Sequence, residues 1–553
     1  MDAVMWKIWW SLACLCVVQG QNTKIVRLRQ GLVKGHKDGG VYAFHGIPYA
    51  TAPTGQYRFQ APFPPPMWID TLDAVDKEIV CPQSDPYNII PKTVQMQEDC
   101  LIANVFTPDT DEKNLPVLVS VHGGAYIMGY GNFAKNRNLV KSHKIVVITF
   151  NYRLGAHGFL CLGTEDVPGN AGMKDQVALL RWVKDNIERF GGNPEDITIS
   201  GYSAGSSSVD LLMLSKTTDG LFQRVIPESG ANTAAFSIQS DPIKNAKEYA
   251  KLINFTNVED FKALEEFFKT VPYDKLSSAD VINRFDSTFL MSPCVENGRD
   301  EEPFLTESPV DILISGNYKK LPMLYGFANM EGLFRVPVFD QWKDAMNDNF
   351  EVFLPPDLQF KDDNERTTVA NELKAFYFGK DPVGKENILD YVNFFSDVIF
   401  VYPTLRSAKL QVEAGNKNIY LYEYSFVTED VPFVPHTDVR GANHCAQSNA
   451  VMDGNIASDV DETELPKSLQ DMKRTIREIW ANFIKTGKPV PEGSDLPAWP
   501  PVEKDWAPHM VLDQPLVLKG SLHKERAEFW ENIYQKYYRN PISPSPPRIH
   551  TEL

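Results

Sequence analysis

Gly201-Tyr202-Ser203-Ala204-Gly205 sets a serine between two glycines, directly after the β-branched run Asp196-Ile197-Thr198-Ile199-Ser200 and before a helix-compatible stretch reaching Leu214. A strand that turns this sharply into a helix crowds any Cβ beside the serine, which accounts for glycine on both sides. Such an elbow lifts the Ser203 hydroxyl above the strand end and sets it at a helix N-terminus, where partial positive charge favours a developing oxyanion. Earlier in the chain, His122-Gly123-Gly124-Ala125 follows the apolar strand Val117 to Val121. Glycines at a strand end let backbone N–H groups point into a cleft, and with the N–H of Ala204 they would form an oxyanion hole. The chemistry these residues suggest is acyl transfer through an activated serine.

A serine hydroxyl is a poor nucleophile unless a base takes its proton and a third group orients that base. Elbows of this kind use the chain order serine, acid, histidine. The histidines after Ser203 are His436, His444, His509, His523 and His550. Gly441-Ala442-Asn443-His444 reads as a loop that can swing an imidazole over a strand end, and it follows the strand-like Ile419 to Phe426. His444 is therefore the expected base, with His436 beside Pro435 as its rival. Among many carboxylates, Glu331 stands out because Asn329-Met330-Glu331-Gly332 follows the strand-like Pro322 to Phe327. Most other acids, such as those from Asp362 to Glu372, fall on polar helical faces.

Elements must exist to bring these residues together. Short β-branched runs at Val117 to Val121, Ile145 to Phe150 and Asp196 to Ser200 alternate with helical stretches, the pattern of parallel strands joined by crossover connections in an α/β chain. Between Met173 and Phe190 the residues Val177, Leu180, Val183, Ile187 and Phe190 recur at helical spacing and form one apolar face. Further helices are expected near 364–377, 468–485 and 524–537. Across 553 residues, 43% are hydrophobic, and 72 acidic against 55 basic side chains give a formal net charge of −17. That balance opposes extended contact with nucleic acid or an anionic membrane surface. No linker or low-complexity stretch divides the body, so 21–539 reads as a single domain.

The two ends carry addresses. Residues 1–20, with one early lysine and an apolar run from Ile8 to Val18, read as a secretory signal peptide cleaved before Gln21. The apolar run is too short to span a bilayer. Its removal takes two of the seven cysteines, Cys14 and Cys16. Of the five left, Cys81 and Cys100 are the nearest pair and the expected disulfide in an oxidising lumen. Cys161, Cys294 and Cys445 are expected to be free buried thiols, since none has metal-ligand spacing; no metal and no organic cofactor is expected. Asn254-Phe255-Thr256 is an N-glycosylation sequon. The Pro/Ser-rich tail, 540–553, ends His550-Thr551-Glu552-Leu553. This is similar to an H-D-E-L address, so retention in the endoplasmic reticulum lumen by its receptor is expected ahead of secretion.

Glu98-Asp99-Cys100-Leu101, the segment from His122, Asn151-Tyr152-Arg153-Leu154-Gly155, Gly169-Asn170-Ala171-Gly172, Asp175-Gln176 and the Ser203 elbow together resemble the type-B carboxylesterase family, which includes the cholinesterases. The resemblance covers nearly the whole mature chain, and Gly158 to Gln176 is similar to insect, moth-like esterases. It implies an α/β-hydrolase fold, a central mostly parallel sheet flanked by helices, with helical insertions. It further implies Ser203 as nucleophile, Glu331 as acid, His444 as base, and an oxyanion hole from Gly124, Ala125 and Ala204. The Cys81–Cys100 bridge, an acyl-pocket aromatic at Phe236 and a serine supporting the acid at Ser229 complete the set. Cholinesterases carry a tryptophan that stacks on quaternary ammonium where this chain has Ile90, which disfavours choline esters. Relatives usually show an acidic residue two or three positions after the histidine, where this chain has Ala446 and Gln447. The expected function is hydrolysis of xenobiotic, odorant or pheromone-type carboxylic esters through an acyl-enzyme. Juvenile hormone esterase is the alternative within enzymes, although Tyr202 departs from the G-Q-S-A-G elbow of that group. From another class, a non-catalytic neuroligin-like adhesion protein remains as a rival, to be separated by organophosphate labelling.

Overall fold

The computed structural model describes residues 22–85, 90–133, 136–279, 281–453 and 461–546. The signal segment and the terminal tetrapeptide lie outside them. A 13-stranded sheet runs through the described residues. In chain order its principal strands are β1 (Thr23–Arg27), β2 (Leu32–Asp38), β3 (Val41–Pro48), β4 (Ile102–Pro108), β5 (Leu115–Val121), β6 (Val146–Phe150), β7 (Gly192–Tyr202), β8 (Arg224–Glu228), β9 (Met323–Ala328), β10 (Ile419–Tyr424), β11 (His509–Leu512) and β12 (Val517–Lys519). Their spatial order is β1-β2-β3-β4-β6-β5-β7-β8-β9-β10-β11-β12, and the two-residue strand Leu72–Asp73 pairs with β2. From β6 to β11 every neighbour is parallel; outside that block the strands pair antiparallel, except that Leu72–Asp73 lies parallel to β2.

Helices cover both faces of the parallel block, which is why β6 and β9 are buried at every position and read as continuous apolar runs rather than alternating ones. The helices used below are α1 (Ala171–Asn186), α2 (Ala204–Leu212), α3 (Asp363–Phe378), α4 (Ile388–Ser396), α5 (Tyr402–Glu413), α6 (Ala446–Val451), α7 (Lys467–Thr486) and α8 (Lys524–Tyr537). All five residues of the apolar face expected before Phe190 are buried. The helix itself stops at Asn186, and Ile187–Phe190 tightens into a 3-10 turn before Gly191.

Parallel pairing aligns the strand ends. Tyr202 of β7 lies opposite Glu228 of β8, Glu228 opposite Gly326 of β9, and Ala328 of β9 opposite Tyr424 of β10. The loops leaving these ends carry Ser203, Ser229, Glu331 and, beyond β10, His444. The carboxyl ends of parallel strands are where open α/β sheets bind ligands.

Cys81 and Cys100 are bonded as expected. The expectation for Cys161 and Cys294 is corrected: they form a second disulfide across 133 residues, and only Cys445 among the described cysteines is a free, buried thiol. Asn170 brings the two segments together, its Nδ2 donating to the Cys294 carbonyl at 2.9 Å and its Oδ1 accepting from the Cys294 N–H at 2.8 Å. Loop-closure entropy at that separation corresponds to roughly 5 kcal/mol, against about 3 kcal/mol for the short bridge. The tail is held down over its first part, where Ile542 N–H donates to the Ser240 carbonyl at 2.9 Å and Asn297 to the Pro544 carbonyl at 3.2 Å.

Candidate active site

Ser203 has φ 57° and ψ −125°, a conformation that costs a non-glycine residue on the order of 1–3 kcal/mol. Close backbone packing enforces it. A Cβ at Gly201 would lie 2.2 Å from the Gly205 carbonyl oxygen, and one at Gly205 2.2 Å from that of Val121. The Ser203 N–H donates to the Glu228 carbonyl at 2.9 Å, which ties the elbow to the end of β8. At the neighbouring strand end Ala125 and Tyr126 both have positive φ. Among the described residues no backbone acceptor takes the N–H of Gly124 or Ala125, and Ala204 opens α2 with its N–H outside the helix ladder.

His122 braces the turn between. Its Nδ1–H donates to the Gly123 carbonyl at 2.8 Å, and its ring stacks on Tyr152 at 4.4 Å. Burial lowers its pKa to about 4, so the ring is neutral. Asn151 and Arg153 hold the segment beneath: Asn151 accepts the Gly131 N–H at 2.8 Å, and Arg153 forms a forked pair with buried Asp175 at 2.6 and 2.8 Å.

The opposite wall is built from side chains. His444 Nε2 lies 2.9 Å from Ser203 Oγ, and Nδ1 lies 2.5 Å from Glu331 Oε2. Glu331 is fully buried; its Oε1 accepts the Ala328 N–H at 2.8 Å and the hydroxyl of Ser229. The structure thus brings Ser203, Glu331 and His444 into one hydrogen-bonded line, with Ser229 behind the acid. His436, the rival base, is exposed earlier on the same connection between β10 and α6 and does not reach the line.

Sequence reasoning missed the next link. Gln447, in the first turn of α6, donates from Nε2 to Ser229 Oγ at 2.6 Å, and Ser448 beside it donates to Glu228 Oε2 at 2.8 Å. A Gln at this place can donate where a carboxylate could only accept, so the Ser229 hydrogen is left to point at Glu331. The signal in the sequence is the amide itself, at a place where relatives usually carry an acid. Burial raises the Glu228 carboxyl to about 7, with the hydrogen bond from Ser448 acting against the rise. Phe236 is buried and reaches this wall through other rings, 5.1 Å from Phe289 and 5.7 Å from Phe400. Among the described residues no cluster of three His, Cys, Asp or Glu side chains could hold a metal ion, and no helix is long and apolar enough to cross a membrane.

A mostly parallel sheet with a strained serine at the elbow after a central strand, facing a histidine from a later loop, defines an α/β hydrolase. The sequence model of the carboxylesterase family matches residues 22–530. A carboxylic ester hydrolase of Bombus ignitus is 32% identical, over 95% of this chain and 96% of that one. The juvenile hormone esterase of Heliothis virescens is also 32% identical, over 86% and 88%. The crystal structure of juvenile hormone esterase from Manduca sexta, with OTFP covalently attached, superposes with TM-score 0.82 at 30% identity, covering 93% of this chain and 100% of that one. The chain belongs to the carboxylesterase family and is a carboxylic ester hydrolase.

Proposed function

We propose that Ser203, His444 and Glu331 carry out ester hydrolysis through an acyl-enzyme. The observation that supports this most is the unbroken line from Ser203 Oγ through both imidazole nitrogens to the buried Glu331. As Ser203 Oγ attacks the ester carbonyl, its proton passes to His444 Nε2, and the N–H groups of Gly124, Ala125 and Ala204 receive the oxyanion. His444 then returns the proton to the departing alcohol. Water repeats the cycle on the acyl group. The Glu331 carboxylate fixes the tautomer with the proton on Nδ1 and faces the imidazolium as it forms.

The substrates in this reading are uncharged esters of the xenobiotic, odorant or pheromone type. An apolar cavity of ≈ 480 Å³, lined in part by Leu333, Val336, Phe426, Val434, Ala442 and Ala446, lies against both the segment after Glu331 and the loop before His444. Ile90 in place of a tryptophan supports the exclusion of choline esters, and Phe236 serves as an acyl-side aromatic. Juvenile hormone esterase is the second reading, favoured by the Heliothis and Manduca relatives. In the proposed life of the chain the signal is cleaved, Asn254, exposed just beyond a helix end, is glycosylated, and the terminal tetrapeptide retains the protein in the endoplasmic reticulum lumen.

Ser203→Ala is expected to remove turnover of p-nitrophenyl and naphthyl esters and stoichiometric organophosphate labelling, with the fold intact by circular dichroism. Turnover near the wild-type rate would overturn the assignment. The same assay with a juvenile hormone and a long-chain acetate separates the two readings: a flat profile supports clearance, a steep preference for the hormone supports the second.

A further inference from the structure

Phe400 lies nearly flat on the His444 ring, with 4.3 Å between centroids and 24° between planes. It comes from an uncommon piece of backbone. Helices α4 and α5 form one run that widens into a π-helical turn at Asp397–Val401. Pro403 accounts for the widening: it has no N–H for the carbonyl four residues back, and its ring presses on that carbonyl, so α geometry cannot continue unaltered. The turn is pinned at both ends. Asp397 Oδ2 accepts the Tyr377 hydroxyl at 2.6 Å and lies 3.4 Å from Arg526 Nε, while Thr233 donates to the Pro403 carbonyl at 2.7 Å. Phe236 at 5.7 Å and Phe334 at 5.8 Å hold the ring from the sides, and Phe334 also tilts against His444 at 5.6 Å.

We propose that Phe400 is a positioning residue for His444, and that the π-helical turn exists at this point to lay its ring on the imidazole. The stack keeps the imidazole in the plane where Nε2 meets Ser203. It also strengthens as the reaction proceeds. A neutral imidazole gains dispersion from the ring, whereas the imidazolium formed when the Ser203 proton arrives on Nε2 gains the attraction of a cation for the π face. An interaction that grows as charge develops accelerates the step, because it stabilises the transition state more than the ground state. The charge vanishes when Nε2 gives the proton to the leaving alkoxide as the C–O bond breaks. The inference rests on His444 being the base.

The test uses the full chain and two esters of one acid, an ethyl ester and a p-nitrophenyl ester. Phe400→Leu keeps an apolar side chain but removes the ring. The expected result is a roughly tenfold fall in kcat/KM for the ethyl ester, the size of a desolvated cation–π contact. A distinctly smaller fall is expected for the p-nitrophenyl ester, whose good leaving group asks for less charge on the imidazole. Phe400→Tyr, which keeps the ring, is expected to recover most of the loss. Equal losses on both esters, a Tyr variant as slow as the Leu variant, or a Leu variant at wild-type rate would each overturn the proposal. A second measurement needs no folded variant at 400. In wild-type protein with labelled histidines, the His444 ring protons, assigned by their loss in His444→Gln, are expected upfield of those of exposed His436 through ring-current shielding; unshifted signals overturn the stack. If His444→Gln itself turned over normally, the base assignment would fall, a result distinct from any outcome at Phe400.

Discussion

The two walls of the active site are held by different physics. On the nucleophile side, at the ends of β5 and β7, backbone meets backbone: glycines pack against carbonyl oxygens, Ser203 is forced to positive φ, and the relevant residues come from two short contiguous strings. On the base side, beyond the ends of β8, β9 and β10, five side chains pass hydrogen bonds along a line, Gln447 to Ser229 to Glu331 to His444 to Ser203, with Phe400 stacked beside it. The first wall is set by local sterics and tolerates almost no change in shape. The second is set by donors and acceptors and should fail by degrees.

That contrast can be broken at either wall. The largest effect is expected for Glu331→Gln, which preserves shape but presents an amide to His444 Nδ1; loss of the correct tautomer is expected to lower kcat about 10,000-fold, measured by steady-state kinetics with the fold checked by circular dichroism. A loss below tenfold would show that the line needs no carboxylate. On the other wall, Gly201→Ala adds a single carbon 2.2 Å from a backbone oxygen. Overpacking of about 3 kcal/mol is expected to appear as a hundredfold or greater loss of kcat, or as failure to fold. Normal activity there would refute the claim that sterics rule this side.

Glu228 sharpens the comparison, because its backbone serves one wall and its side chain the other. Its carboxyl is raised from 4.5 to about 7 by burial. The folded state therefore holds this proton more tightly than the unfolded chain, and the associated stability is full below about pH 4.5 and lost as pH rises through about 7. Glu228→Gln stays neutral throughout. Urea unfolding of the variant is expected to match wild type near pH 4.5 and to exceed it by on the order of 3 kcal/mol at pH 8. A gap that does not change with pH would remove this account. Asp210 and Asp357, each raised to about 6 by burial, act in the same sense in both proteins and cancel.

The smallest effect is expected at Gln447→Met, which removes the amide that directs the Ser229 hydroxyl. A fall in kcat of roughly tenfold with little change in KM is expected, the scale of one buried hydrogen bond. Ser229→Ala should cost a similar factor, and the double variant little more than either alone, since both act through one line. Additive losses would mean that Gln447 does not act through Ser229.

Which parts could be read from the sequence follows the same division. The Ser203 elbow and the glycine-rich turn after β5 are contiguous strings whose backbone demands are written in residue type, and the parallel sheet follows from apolar runs separated by helical spacing. His444 was favoured by the Gly441-Ala442-Asn443 run before it, with His436 left as a rival that only the fold removes, and Glu331 by its place after β9. Gln447 was not: a hydrogen-bond donor to Ser229 is recognisable only when 218 residues of intervening chain are folded. Phe400 sits in an apolar run where nothing in one dimension singles out one ring. The pairing of Cys161 with Cys294 was missed because proximity in sequence had been the guide to proximity in space, and here Asn170 does the bridging.

That second disulfide has a consequence for the integrity of the chain. Ser203 lies inside the loop it closes, whereas Glu331 and His444 lie outside it. A single proteolytic cut anywhere between residues 162 and 293 therefore leaves two pieces that still travel together on a non-reducing gel and separate only when thiol is added. Where the cut falls after Ser203, the bond is the covalent link between the piece that supplies the attacking oxygen and the piece that supplies its base.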